Sequence, residues 1–100
     1  MIEINQKEIK TAGIIGANGY TGSELVRLLV FHPHVSLSFL YSRSNPGTKI
    51  SDLYPDLTAV CEMVLTDQPE DADILFLCIP HKESQNWLTQ NPVKAETLVI

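Results

Sequence analysis

Gly16-Ala17-Asn18-Gly19-Tyr20-Thr21-Gly22 places glycines at every third position. Glycines let a backbone turn sharply and approach a pyrophosphate, and a helix beginning there adds free N–H groups and a partial positive charge. The string departs from Gly-x-Gly-x-x-Gly and is a weak signal alone. It gains meaning only between a strand and an amphipathic helix. About 20 residues further on, where an NAD site carries an acid for the ribose hydroxyls, stand Ser42, Arg43 and Ser44. A guanidinium between two hydroxyls suits a 2′-phosphate by charge and by two-pronged hydrogen bonding, so the pair of signals predicts NADP rather than NAD. Lys49 adds a weaker charge. The third place is Leu77-Cys78-Ile79-Pro80-His81, with Ser84 beyond it. Ligands of open α/β sheets sit outside the carboxyl ends of the strands, which makes Pro80 and His81 contact candidates towards the nicotinamide. His81 has no evident partner and is not assigned as a base.

The elements that must position these groups are legible as periodicities. Residues 11–15 form a short strand candidate ending in the glycines, and residues 22–31 place Leu25, Val26, Leu28, Leu29 and Val30 on a broad helical face. His32-Pro33 stops that helix. Residues 35–41 predict a second strand, residues 42–52 a long polar loop with an Asn45-Pro46-Gly47 turn, and residues 58–65 a further, β-branched strand. The acidic connection 67–73 has room for one helical turn. Residues 74–79 predict a buried strand ended by Pro80, residues 83–90 a short helix with Trp87 and Leu88 inward, and residues 97–100 another strand. Alternating strands and helices with apolar strands predict an α/β fold of the Rossmann type, doubly wound, with a mainly parallel sheet covered by helices on both faces.

Composition bounds the rest. The chain has 100 residues, 44% of them hydrophobic, with 12 acids against 7 bases and a formal charge of -5. That describes one globular domain with an ordinary core. Residues 1–10 read as a polar lead-in and residues 11–100 as the domain. An acidic chain without a Lys/Arg stripe argues against nucleic acid, and no apolar run reaches the ~20 residues of a membrane span. Cys61 and Cys78 lack neighbours at zinc or disulfide spacing and are read as core, so no metal is expected and a cytoplasmic setting is the default. Ending on an uncovered strand predicts one domain of a longer chain.

Three segments, GANGYTGSELVRLL, YSRSNPGTKISDLYPDL and DILFLCIPH, occur in order and at matching separations. Together they resemble the N-terminal cofactor domain of the N-acetyl-gamma-glutamyl-phosphate reductases, arginine-biosynthesis enzymes related to aspartate-semialdehyde dehydrogenase. The resemblance covers nearly everything from Thr11 onward. It implies that Gly16, Gly19, Tyr20, Thr21 and Gly22 hold the NADP pyrophosphate, that Ser42, Arg43 and Ser44 hold the 2′-phosphate, and that Pro80 and His81 lead towards the nicotinamide. Lys82 stands where that family often has glycine. The family reduces an acyl phosphate to an aldehyde with NADPH, through a cysteine thioester, and is typically oligomeric. Its cysteine lies in a later Gly-Cys-Tyr segment, which neither Cys61 nor Cys78 matches. The implied expectation is cofactor binding by this chain without a catalytic residue of its own, with turnover of the small acyl phosphate belonging to a longer two-domain protein. An aspartate-semialdehyde dehydrogenase-like domain, an aminoadipyl-phosphate reductase domain, a non-catalytic NADP-sensing module and a purely structural α/β domain are the competing readings.

Overall fold

A computed structural model describes residues 8–100; of the expected lead-in, residues 1–7 lie outside the described residues. Among the described residues, four parallel strands form one sheet: β1 (Lys10–Ile15), β2 (Val35–Tyr41), β3 (Ile74–Leu77) and β4 (Leu98–Val99), in the order β2-β1-β3-β4. The helices that accompany them are α1 (Tyr20–Leu29), the short α2 (Ile50–Leu53) and α3 (His81–Gln90), and a 3-10 turn covers Pro55–Leu57. The chain leaves β1 in one direction along the sheet to make β2 and in the other to make β3. That reversal is the topological switch at which open α/β sheets bind ligands.

Alternation along β1 explains why both faces are covered. Ile14 joins Val26 and Leu29 of α1, Leu40, Ile50 and Leu57 in one apolar layer, while Ile15 joins Phe39, Leu75 and Trp87 of α3 in the other. Successive strand residues point to opposite faces, so each helix is held by one parity of the same strand. β2 changes parity part-way along. Ala12 pairs with Leu37 but Gly13 with Phe39, which leaves Ser38 as an extra residue whose hydroxyl donates to the Ala12 carbonyl at 3.2 Å. Val35 and Leu37 therefore pack on the α1 side, and Phe39 and Tyr41 on the α3 side. Gly13 matters for the same reason: a Cβ there would stand 2.2 Å from Cε1 of Phe39.

Several expectations change in detail. β1 begins at Lys10, which pairs with Val35, and α1 begins and ends two residues earlier than its apolar pattern suggests. Leu28 is exposed, whereas Val26 and Leu29 carry the buried face. β3 ends at Leu77, and of its residues only Leu75 is buried, because β4 offers it a two-residue neighbour. Residues 58–65 do not form the expected strand. Ala59 takes a left-handed φ of 64°, and the buried residues Leu57, Cys61 and Leu65 recur every fourth position, a turn-like spacing that leaves Val60 and Val64 outside. What survives of sheet geometry is two isolated bridges, Tyr41 to Thr66 and Lys49 to Val64. The 42–52 loop closes into α2, and the acidic connection carries bends rather than a helical turn.

Candidate functional site

The three sequence-marked segments follow the carboxyl ends of β2, β1 and β3, adjacent strands of a parallel sheet. At the end of β1 the chain reverses under tight control. The Tyr41 carbonyl accepts from both the Gly16 N–H (3.0 Å) and the Ala17 N–H (3.1 Å), and the Gly19 N–H donates to the Gly16 carbonyl at 3.1 Å. Each glycine has its own reason. Gly16 has φ +84°, a region that favours glycine, and a Cβ there would lie 2.6 Å from both the Cys78 carbonyl oxygen and Cγ2 of Ile79. A Cβ on Gly22 would lie 2.3 Å from the Gly16 carbonyl oxygen and 2.7 Å from Cα of Ala17, so this position lets α1 press against the turn. Gly19 is different: its nearest neighbour would be the Gly16 oxygen at 3.5 Å, so packing leaves room for a side chain.

Gly19 is the N-cap of α1 and offers no capping side chain; Ser23 makes the first helical bond, to the Gly19 carbonyl at 2.9 Å. The N–H groups of Tyr20, Thr21 and Gly22 precede that bond and have no intrahelical acceptor. With the positive end of the helix dipole, three such amides suit an anion. Tyr20 is exposed to solvent, and Thr21 and Gly22 continue the first turn.

After β2, the three residues of the Ser-Arg-Ser segment part ways. Ser42 is buried; its N–H donates to the Thr66 carbonyl and its Oγ accepts from the Asn45 N–H at 3.1 Å, so it shapes the loop from beneath. Arg43 and Ser44 are exposed and line an open crevice with Gly16 and Asn18. Among the described residues Arg43 enters no ion pair, which leaves its guanidinium available to a ligand. Ser44 Oγ accepts from Nδ2 of Asn18 at 3.2 Å and from Nδ2 of Asn45 at 3.1 Å. Behind the turn, the Tyr54 hydroxyl donates to the Asn18 carbonyl at 2.8 Å. The Arg27 guanidinium lies 5.2 Å from the Tyr54 ring centroid and grips Asp56 with both Nε and Nη2. That grip holds the Asp56 carboxyl below the usual range, chiefly through the Arg27 hydrogen bond.

The crevice has a volume of about 380 Å³, and its far wall comes from α3: Glu83, Asn86, Trp87, Gln90 and, just past the helix, Asn91. Tyr41 and Trp87 meet edge to face there, ring centroids 5.5 Å apart, with Ile79 beside them. The site thus brings together a free arginine, a serine hydroxyl, a glycine turn and an aromatic wall rimmed by carboxamides. Pro80 is the N-cap of α3 and His81 its first residue. Both lie beyond the crevice wall, with His81 exposed and its Nε2 at 3.3 Å from Nε2 of Gln85. Ser84 is occupied locally, its hydroxyl within hydrogen-bonding distance of the Ile79 carbonyl at 3.2 Å. Burial pushes the Cys78 thiol up, which keeps it protonated and poorly nucleophilic at neutral pH. Cys61 is buried in the α1 layer.

Sequence reasoning passed over Asn18, which sits in the glycine string as a spacer, and over Tyr54 and the carboxamides of α3. Asn86 and Gln90 share a helix face with Trp87 between them in sequence, a polar rim around an apolar centre. That pattern was available; the 36-residue reach of Tyr54 to the turn was not.

Comparison with known proteins adds the relatives. Residues 11–100 match the family described as "Semialdehyde dehydrogenase, NAD binding domain". The N-acetyl-gamma-glutamyl-phosphate reductase of Bacteroides fragilis is 40% identical over 91 residues, covering 89% of this chain and 28% of its own. The enzyme of the same name from Campylobacter jejuni subsp. doylei is 44% identical over 89 residues, covering 87% and 26%. The chain therefore spans between a quarter and a third of the length of these relatives. Among solved structures, the aspartate semialdehyde dehydrogenase with NADP from Candida albicans superposes with a TM-score of 0.65 at 24% identity, over 78% of this chain and 25% of that one. That likeness independently places the fold among the Rossmann-like α/β domains.

Proposed function

Because this chain belongs to the semialdehyde dehydrogenase NAD-binding domain family, we propose that it binds NADP(H) and serves as the cofactor half of an NADPH-dependent acyl-phosphate reductase. The observation that carries NADP over NAD is the unpaired Arg43 beside Ser44 in the crevice, where an NAD site would need an acid. The 2′-phosphate would lie against Arg43 and Ser44. The adenine would take the Tyr41–Trp87–Ile79 wall with Asn86 and Gln90 at its edge, and the pyrophosphate the free amides of Tyr20, Thr21 and Gly22. The residues present fit this ligand: an open crevice of about 380 Å³ leads from the arginine to the turn, and no side chain fills the space at Gly19. Ser42 supports the loop, and Pro80 and His81 stand on the path towards the nicotinamide. Bound NADPH supplies a hydride donor; this chain's residues bind and orient it.

The names of the relatives support the fuller reading. The whole protein would convert N-acetyl-glutamyl 5-phosphate to N-acetyl-glutamate 5-semialdehyde in arginine biosynthesis, in the cytoplasm and as a homo-oligomer. Its nucleophile would come from the part of the relatives' length that this chain does not span, as the later Gly-Cys-Tyr segment of that family implies. Residues 11–100 would be the NADP domain of that two-domain enzyme.

The test is a binding titration with NADP, NAD and 2′,5′-ADP, read by thermal shift and calorimetry. NADP and 2′,5′-ADP are expected to stabilise the chain more than NAD. Arg43→Ala should weaken NADP about tenfold, the lower range for an exposed charge-assisted bond, and leave NAD unchanged. Tighter binding of NAD, or an Arg43→Ala variant that binds NADP as before, would overturn the assignment.

A further inference from the structure

The Ser44 hydroxyl is flanked by two carboxamides, Asn18 in the glycine turn and Asn45 in its own loop, both of which donate to it. A hydroxyl has two lone pairs and one proton. With both lone pairs filled by N–H donors, the function left to Ser44 is donation, and the crevice it lines is the open direction. We infer that Asn18 is a positioning residue that fixes Ser44 as a donor-only group for the 2′-phosphate, joining the pyrophosphate turn to the 2′-phosphate loop. This inference rests on the NADP reading above and names what tunes that same site.

Asn18 is well suited to the task because its backbone is held from the opposite side. The Tyr54 hydroxyl bonds its carbonyl, and Tyr54 is in turn covered by the Arg27 guanidinium clamped to Asp56. The amide of Asn18 is thus presented from a fixed turn, while Ser44 lies on a loop bent by the Asn45 N–H bond to Ser42. An acceptor-rich dianion rewards a hydroxyl that can only donate. A ribose hydroxyl, itself both donor and acceptor, gains less from that restriction. The Asn18–Ser44 contact therefore adds discrimination between the phosphorylated and unphosphorylated cofactor, beyond the charge of Arg43.

The experiment compares 2′,5′-ADP with 5′-AMP by calorimetry on the chain and on Asn18→Ala, Asn45→Ala, Ser44→Ala and Asn18→Ala/Ser44→Ala. Asn18→Ala is expected to weaken 2′,5′-ADP about fivefold with 5′-AMP changed less than about twofold. In the Ser44→Ala background the same substitution should have no further effect, because Asn18 acts through that hydroxyl. Asn45→Ala gives a second reading with the glycine turn untouched and is expected to lower the same ratio. Equal loss of both ligands, an unchanged ratio in both asparagine variants, or an undiminished Asn18 effect without the Ser44 hydroxyl would each overturn the inference while leaving NADP binding intact. If the unsubstituted chain does not prefer 2′,5′-ADP over 5′-AMP, both the NADP reading and this inference fall.

Discussion

Replacing Gly22 and Gly19 by alanine separates what the glycine string does for the fold from what it does for a ligand. At Gly22 the new methyl would sit 2.3 Å from a backbone oxygen and 2.7 Å from a backbone Cα, where ordinary contact begins near 3.4 Å. Neither atom is the end of a flexible side chain, so α1 and the turn must move apart by roughly an ångström, and overpacking of this kind costs about 3 kcal/mol. For a domain of this size that lowers the melting temperature by about 12 °C or more. At Gly19 the backbone has φ -81°, which alanine adopts freely, and the nearest atom would be 3.5 Å away. Stability should change by no more than about 1 kcal/mol. The methyl would instead add bulk at the N-cap, next to the first free amide of α1, where the proposed pyrophosphate approaches, and NADP affinity should drop about tenfold or more. Differential scanning calorimetry paired with NADP titration measures both. A Gly22→Ala chain that melts like the unsubstituted one, or a Gly19→Ala chain as destabilised as Gly22→Ala, would refute this division of labour.

Two further outcomes follow from contacts outside the crevice. Asp73 accepts the Thr11 N–H at 2.8 Å and the Thr11 hydroxyl at 3.2 Å, which together, with help from Lys10, hold its carboxyl below the usual range. A lowered folded value gives stability that is present above the unfolded pKa of about 3.9 and lost as pH falls through the folded value. The melting-temperature advantage over Asp73→Asn should therefore be full at pH 7 and shrink below about pH 4; an advantage independent of pH would contradict it. Gly13→Ala should destabilise by about 2–3 kcal/mol in a denaturant titration, because the methyl meets the Phe39 ring. Combined with Phe39→Leu the cost should be clearly less than additive, and strict additivity would show that the ring is not the obstacle.

The parts of the fold legible in the sequence were those whose signals are local. β1, the glycine turn and α1 are contiguous, and the parity of Ile14 and Ile15 with the pattern of Val26 and Leu29 specifies two covered faces without any long-range information. Residues 58–65 misled because Thr58, Val60 and Val64 have strand propensity. Burial was instead assigned to Leu57, Cys61 and Leu65, and packing under α1 outweighed propensity. In the candidate site, Arg43 was legible because it lies between two hydroxyls about 20 residues past the glycines, where an NAD site would carry an acid. The separation of buried Ser42 from exposed Ser44 was not, since it depends on a loop bend made by the Asn45 N–H. Asn18 and Tyr54 stayed hidden because their partners are 26 and 36 residues away.

The extra residue at Ser38 has a consequence for how β2 tolerates change. It works as a half-turn in the ribbon, so Leu37 and Phe39, which a regular strand would set side by side, answer to different helices across the sheet. Losing that one residue would rotate everything beyond it. Tyr41 would swing away from Trp87, its carbonyl would no longer meet the two amides of the β1 turn, and the arginine after it would face the wrong layer. The aim of Arg43 is thus set by a phase shift five residues upstream, in a stretch of strand that touches no part of the crevice.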